Sequence, residues 1–583
     1  MMSVYHCEYN KRKTTEKLLL LSKIKISFLK KRYIILIILV AGVSCFFIYL
    51  RSLNFPPPAV SDITCMQWQR EKVNDSLYVV GNNWLHRSSS GLWEMYLEGS
   101  AFERGVAFGK LTQELLEYQE DAFVEMISQY VPSTFYLQFL KYFVAWFNRK
   151  LPEYVPQEFL EEIYGTSLSA SPRFDFIATP YLRQLNYHAA HDIGHTLQNM
   201  NMVGCTSFAL WNSRTADSSL MIGRNFDFYA GERFAENKIV CFVRPDSGYR
   251  FTMIGWSAMC GVLSGMNEKG LTVTINAAKS AIPTKSAMPV SLLAREILQY
   301  AATIDEAYAI AAKRKTFVSE SFLIGSGADN KASVIEKTPG KQGLYSIDGG
   351  QIICTNHFQG DAFYDDATNI ENIRESDSPY RLARVRELLS AYPVSDENLI
   401  ASVLRDTRGL EGKIIGYGNE KAINQMIAHH TVIFKPQEQK LWVSTHPYQL
   451  GEMIAYNADS IFALSKTRLM HAGNFHDSTK GIPADSLLFS DDYTKFLNYR
   501  KMCDTLKADM KIGGKGLDEH FVQRFVQTNP EMYQVYRLLG DWHHSRKEFA
   551  QAVKYWTTAL TKEIPRLQEK EYLESQIEKF KQH

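Results

Sequence analysis

The chain has 583 residues, several domains' worth at roughly 150 residues each. Lys+Arg 65 against Asp+Glu 63 leaves a net charge of +2, which argues against a nucleic-acid binder working through bulk charge. Hydrophobic residues at 45% and charged residues at 22% exclude global disorder, and eight cysteines without a CxxC pair exclude a disulfide scaffold and a paired-cysteine zinc site.

In chain order, residues 1–32 carry nine basic side chains against Glu8 and Glu16. Residues 33–50, YIILIILVAGVSCFFIYL, follow without a charge. Eighteen helical residues span about 27 Å, close to a hydrocarbon core. The positive-inside rule keeps 1–32 cytoplasmic and sends the rest across, so 33–50 is expected to be an uncleaved signal anchor with the body exported. A cleaved signal peptide with a long charged head is the alternative. Pro56, Pro57 and Pro58 then begin a stiff linker.

Residues 60–200 read as mainly helical, from apolar spacings of three and four in FERGVAFGKLTQELLEYQEDAFVEMISQYV. The aromatic run STFYLQFLKYFVAWF at 133–147 is expected to be a buried core helix, with an acyl pocket or a lipid surface as the alternative. His188, His191 and His195 share a helix face, which reads as satisfied core histidines rather than a metal site.

From 203 to 450 short β-rich runs alternate with Gly, Asn and Asp turns, among them TSFALWN, SLMIGRNF, KIVCFVRP, LTVTIN and QIICTN. Hairpin-like neighbours predict largely antiparallel sheets with helices outside, an α+β protein. Residues 490–583 turn helical again. Within them Tyr536, Leu539, Gly540, His543, Ala552, Trp556 and Ala559, with Pro565 near the close, are spaced like one tetratricopeptide repeat. The plainer reading is a helical hairpin that props the enzyme; a protein partner docking on this tail is the other.

Chemistry centres on Gly204–Cys205. A cysteine opens a strand-like run directly after a glycine, and GRNFDF, with Arg224 and Asp227, follows nineteen residues on. If the two strands pair, both side chains reach the cysteine. GMNEKGLTVTIN ends at Asn276, CTNHF holds Asn356, and SPYR ends at Arg381.

This ordered set resembles the penicillin acyltransferase family (acyl-CoA:6-aminopenicillanic acid acyltransferase), related to bile salt and penicillin V hydrolases. The likeness runs from about residue 95 to 450, beginning at YLEGSAFERGVAFGKL. It implies a four-layer αββα N-terminal-nucleophile hydrolase fold, with a helical pro-region at 95–204 and a catalytic domain at 205–460; the helical tail at 461–583 lies beyond the likeness. It implies cutting between Gly204 and Cys205, so that the new α-amine serves as base for the Cys205 thiol. Asp227 is then expected to hold the α-ammonium and Arg224 to favour the thiolate. Asn276 and Asn356 match positions near the oxyanion, and Arg381 a site arginine. Arg224 follows the hydrolases; the acyltransferase has Gln there. No metal or cofactor is implied. The expected activity is cleavage of, or acyl transfer from, non-peptide amides of small amphipathic N-acyl compounds through a Cys205 thioester. A catalytically dead scaffold docking a partner through its tail is the other class considered.

Overall fold

The computed structural model describes residues 17, 32–34, 36–49, 51, 53–131, 133–196, 204–229, 231–281, 283, 285–464, 475–514 and 516–581. The expected basic tail lies outside them except for Lys17 and Arg32. The chain divides into two units, Met1–Pro56 and Pro57–His583. In the first, the helix Arg32–Tyr49 is long and apolar enough to cross a bilayer by length and composition.

The second unit is built on two sheets. The larger has eleven strands, running from Glu71–Lys72 through Trp93–Gly99, Ile239–Pro245 and Leu271–Ala277 to Glu320–Ser326 and Gln342–Tyr345. The smaller has six, in the order Gln351–Cys354, Thr206–Leu210, Met221–Asp227, Ala428–Lys435, Lys440–Ser444 and Met453–Asn457. Neighbours are antiparallel throughout, except that Trp93–Gly99 runs parallel to Ile239–Pro245.

Period-two alternation decides the layers. Ala209, Ile222, Val432 and Val443 of the small sheet meet Trp84, Phe242, Ile254 and Leu323 of the large one. From the opposite face Phe208, Leu210 and Ile433 pack on Val385, Leu389, Ile400 and Leu404, carried by the helices Ser378–Ala391 and Glu397–Leu404. Outside the large sheet lie the helices Ala101–Leu111 and Val290–Tyr300. The order is helix, sheet, sheet, helix.

The FERGVAFGK stretch has a packing role. A Cβ on Gly105 would sit 2.1 Å from the Glu162 carbonyl oxygen, and one on Gly165 2.7 Å from that of Phe102, so two helices cross in backbone contact. Arg104 Nη2 and Arg295 Nη2 both reach Glu162 Oε2, at 2.8 and 3.2 Å, a buried ion cluster that fixes the crossing.

Three expectations need correction. The stretch 60–200 is not mainly helical at its start: Leu77–Val80, Asn83–Arg87 and Trp93–Gly99 are strands of the large sheet. The strong helical period after residue 101 masked them, and none is longer than seven residues. The expected helical segment 95–204 therefore opens in a strand. The run 133–147 forms the helix Thr134–Phe147, but it is not a core helix: Phe135 is 76% exposed, Tyr136 and Phe139 63% each. Phe147 alone of its aromatics is buried.

The tail helices, from Asp491–Lys511 to Leu567–Phe580, share one core with Met426, Tyr448 and Leu450 of the sheet body. The hairpin Tyr533–Ser545 and Phe549–Leu560 closes on Gly540, where a Cβ would stand 2.3 Å from the Trp556 ring.

Candidate active site

Cys205 stands just before the strand Thr206–Leu210, an inner strand whose antiparallel neighbour carries Arg224 opposite Ser207 and Asn225 opposite Thr206. Gly204 N–H continues this ladder, donating to the Asp227 carbonyl at 3.0 Å. Alternation then puts Cys205, Ser207, Arg224 and Phe226 between the sheets, and Thr206, Asn225 and Asp227 on the opposite face.

Arg224 Nη2 lies 3.7 Å from Cys205 Sγ. Its guanidinium is fixed by the carbonyls of Leu263 and Ile275, by Ser264 Oγ and by stacking over Phe226. Ser264 Oγ also meets His430 Nε2 at 2.8 Å, and His430 Nδ1 meets His429 Nδ1 at 3.0 Å. Arg224 therefore has a rigid backing of buried groups.

Arg381 ties the helix Ser378–Ala391 to the cysteine. Its Nη1 donates to the Cys205 carbonyl at 2.6 Å and to Thr206 Oγ1 at 2.9 Å. Nη2 donates to Asn356 Oδ1 at 2.7 Å, and Nε to Asp377 Oδ2 at 2.8 Å. It is 1% exposed, so it is no surface charge. Asn356 Oδ1 also accepts the Cys205 backbone N–H at 2.9 Å.

The two asparagines are engaged away from the thiol. Asn356 Nδ2 donates to the Ala277 carbonyl at 2.8 Å, and Asn276 Nδ2 to that of Cys354 at 3.0 Å. Asn276 Oδ1 accepts from Ser207 Oγ at 2.9 Å.

Asp227 is fully buried, and neither carboxylate oxygen has a hydrogen-bond partner among the described residues. Burial drives its carboxyl up to about 8, against the pull of Arg381 and Arg224. Burial likewise pushes the Cys205 thiol up to about 11; Arg224 opposes this, and Asp227 and Glu320 reinforce it. The thiol is sealed from solvent, and burial favours its protonated form.

Two groups here had no signal as motifs. Glu320 is wholly buried opposite Ala277 in the large sheet, its carboxyl raised well above the ordinary range by burial. The signal available was one acid opening the strand Glu320–Ser326, which has no other charge. Gln425 packs its carboxamide against Gly204.

Other candidates resolve as structure. His188 is satisfied on both ring nitrogens, by the Gln184 carbonyl at 2.8 Å and the Cys260 N–H at 3.0 Å. The side chains of His191 and His195 lie outside the described set. Asn225 joins the carbonyls of Leu404 and Ile423 to Thr431 Oγ1. A cavity of about 360 Å³, whose lining includes Arg214, Tyr345, Gln351 and Arg386, takes in none of the site residues.

Two stacked sheets lie between helical layers in the order αββα, with Cys205 heading an inner strand. The family model of acyl-coenzyme A:6-aminopenicillanic acid acyl-transferase matches residues 213–448. The match takes in Arg224, Asp227, Asn276, Asn356 and Arg381 and begins downstream of Cys205. Among curated proteins, the chain is 28% identical over 239 residues to the N-acylethanolamine-hydrolyzing acid amidase of Caenorhabditis elegans, covering 39% of this chain and 62% of that protein. It is 27% identical over 256 residues to an uncharacterized protein of Archaeoglobus fulgidus, covering 41% and 42%. The matched segment thus spans about half the length of these relatives. Solved structures it resembles include a C. elegans ortholog of that amidase, at 17% identity, TM-score 0.30, and 40% and 93% coverage. A conjugated bile acid hydrolase from Clostridium perfringens gives 17%, TM-score 0.30, and 44% and 92%.

Proposed function

We propose that this chain is a self-processing cysteine amidohydrolase or acyltransferase. It cuts between Gly204 and Cys205, and Cys205 then takes the acyl group of N-acylated small molecules as a thioester. The observation that carries this reading is Asp227: a sealed carboxyl group with both oxygens unpartnered among the described residues, one ladder position from the Cys205 nitrogen. An orphaned buried acid is costly. A new α-ammonium at Cys205 supplies the missing partner.

Cutting is an acyl shift. The Cys205 sulfur bonds to the Gly204 carbonyl carbon, the Gly204–Cys205 C–N bond breaks, and the thiol proton ends on the departing nitrogen. Water then hydrolyses the thioester to the Gly204 carboxylate and the free thiol. In the cut enzyme the α-amine takes the thiol proton, with Asp227 holding the resulting ammonium and Arg224 beside the sulfur. Substrate amide carbon is attacked next, the amine leaves with that proton, and water or an acceptor amine releases the acyl group. Asn276 and Asn356 carry amide donors within the same cluster that re-aim at the oxyanion once the strand end is free.

For substrate we favour amphipathic N-acyl compounds. The exposed aromatic helix Thr134–Phe147 and the apolar helix Arg32–Tyr49 both suit an enzyme that meets lipid-like molecules. The relative from C. elegans carries the name of an N-acylethanolamine-hydrolyzing amidase. Intact-mass analysis and N-terminal sequencing test the reading. A new chain starting at Cys205 is expected, abolished by Cys205→Ala, together with turnover on a panel of N-acyl ethanolamines, N-acyl amino acids and bile conjugates. Full turnover by an uncut chain would overturn it.

A further inference from the structure

Self-cleavage demands something that hydrolysis by the cut enzyme does not: a donor for the Gly204 carbonyl oxygen while the chain is still continuous. The usual candidates are committed in the uncut chain. Asn356 Nδ2 is bonded to the Ala277 carbonyl, Asn276 Nδ2 to that of Cys354, and Arg381 to the Cys205 carbonyl, Thr206, Asn356 and Asp377. The Gly204 N–H is spent on Asp227.

One amide beside Gly204 is not committed. Gln425 is 3% exposed, and its Nε2 has no hydrogen-bond partner among the described residues. A Cβ built on Gly204 would stand 2.6 Å from Gln425 Nε2 and 2.8 Å from Oε1. The two ends of the carboxamide lie almost equally close to that position, so the amide packs against Gly204 in either orientation. Any larger residue at 204 collides with it, which gives Gly204 a second reason to be glycine besides backbone freedom.

Gln425 is also held unusually firmly. Asn424 N–H donates to the Asp406 carbonyl at 2.9 Å, and Asp406 is paired with Arg384. The Ile423 carbonyl accepts from Asn225 Nδ2 at 3.0 Å, on the strand that also carries Arg224. Met426 has φ 58°, a left-handed conformation uncommon for any residue but glycine. Asn424 Oδ1 accepts the Met426 N–H at 3.0 Å and holds that turn. The Met426 side chain is locked into the core of the tail helices with Phe496 and Tyr499. The tail thereby clamps the loop that presents Gln425.

We infer that Gln425 is a catalytic residue of the self-cleavage step, donating from Nε2 to the Gly204 carbonyl oxygen as the Cys205 sulfur adds to its carbon. This rests on the proposal that the chain cuts at Gly204–Cys205. Gln425 stabilises charge and gains or loses no proton; the sulfur–carbon bond forms, the Gly204–Cys205 C–N bond breaks and the thiol proton ends on the departing nitrogen. Removing one such donor costs roughly 10²–10³ in rate.

The test follows cutting of freshly translated full-length chain by intact mass over time. Gln425→Met, nearly the same shape without a donor, is expected to cut roughly 10²-fold slower than wild type with an unchanged melting temperature. Gln425→Glu regains a donor only when its carboxyl is protonated. Its rate relative to wild type is expected to be highest at pH 5 and to fall steeply towards pH 8, which a purely structural role would not produce. Wild-type rates in Gln425→Met, or a pH-independent ratio in Gln425→Glu where the methionine variant fails to fold, overturn the inference and leave self-processing standing. A wild-type chain that never cuts yet turns over substrate overturns self-processing itself.

Discussion

Arg381 Nη1 donates to the carbonyl oxygen of Cys205 at 2.6 Å across 176 residues of sequence. The same guanidinium closes on Asp377, Thr206 and Asn356, so one helix side chain fixes the Cys205 carbonyl and the acceptor of its N–H together. Arg381→Ala leaves Asp377, only 6% exposed, without its cation. Breaking one partner from a buried pair costs about 3–5 kcal/mol. Arg381→Ala is therefore expected to lower the melting temperature sharply and to slow cutting at least tenfold. Arg381→Lys keeps the charge without the fork and should recover stability better than cutting, because four acceptors need a planar donor set. Calorimetry and mass time courses on the two variants separate these effects; equal recovery of both would contradict the assignment.

Asp227 gives the uncut chain a pH dependence of defined sign. Its carboxyl rises from 3.8 to about 8 on burial, so the folded chain retains a proton that the unfolded chain releases between those values. That contribution to stability is complete below about pH 4 and is lost as pH climbs through 8. The background for the measurement is Cys205→Ala, which lacks the sulfur needed for cutting. There Asp227→Asn should flatten the loss of stability between pH 5 and 8 by about 2 kcal/mol or more, because a proton kept by the folded chain alone is worth about 1.4 kcal/mol for each step of one in pH. Denaturant titrations at the two pH values measure it. Other raised carboxyls, among them Glu320 and Glu336, contribute the same sign, so the difference between the two chains is what counts. Identical slopes would remove Asp227 from this role.

The cluster around Cys205 was legible because its members sit in local patterns the backbone obeys. GCTSF and GRNFDF become adjacent antiparallel strands, and that register alone delivers Arg224 to the thiol. TNHF and SPYR end a strand and begin a helix, and so Asn356 and Arg381 arrive at one point. Gln425 was not legible. It lies in irregular chain, 221 residues after Gly204, and only the closed fold and the docked tail bring it there. Glu320 was hidden by burial, since sequence does not say which acid in a strand faces water. The helix 134–147 failed for a related reason: apolar periodicity marks an apolar face without telling what covers it.

The tail makes its own prediction. Trp556 is fully buried, stacks its ring against Gly540 and donates from Nε1 to Asp541 Oδ1 at 3.0 Å. Trp556→Ala is expected to cost about 3–5 kcal/mol. Because Met426 and Tyr448 of the sheet body share this core, the loss should appear in a single unfolding transition of the whole unit. It should also slow cutting through the Gln425 loop. A separate low-temperature transition with normal cutting would mark the tail as an independent module, as a partner-docking role requires.

The helix Thr134–Phe147 tests the substrate class. Phe135, Phe139 and Tyr142 stand out into solvent at 76%, 63% and 47% exposure, so replacing them removes little packing. Surface changes of this kind usually stay within about 0.5 kcal/mol. A Phe135→Ser/Phe139→Ser/Tyr142→Ser chain should therefore melt and cut as wild type does. If the face gathers amphipathic substrate, activity on long-chain N-acyl amides presented in vesicles should drop several-fold, while a short soluble amide is turned over unchanged. The comparison needs both substrates on the same cut enzyme, because kcat/KM for the short amide reports the intact Cys205 centre and the ratio reports the face. Equal losses on both would place the helix in the fold of the site, and no loss on either would detach it from substrate delivery.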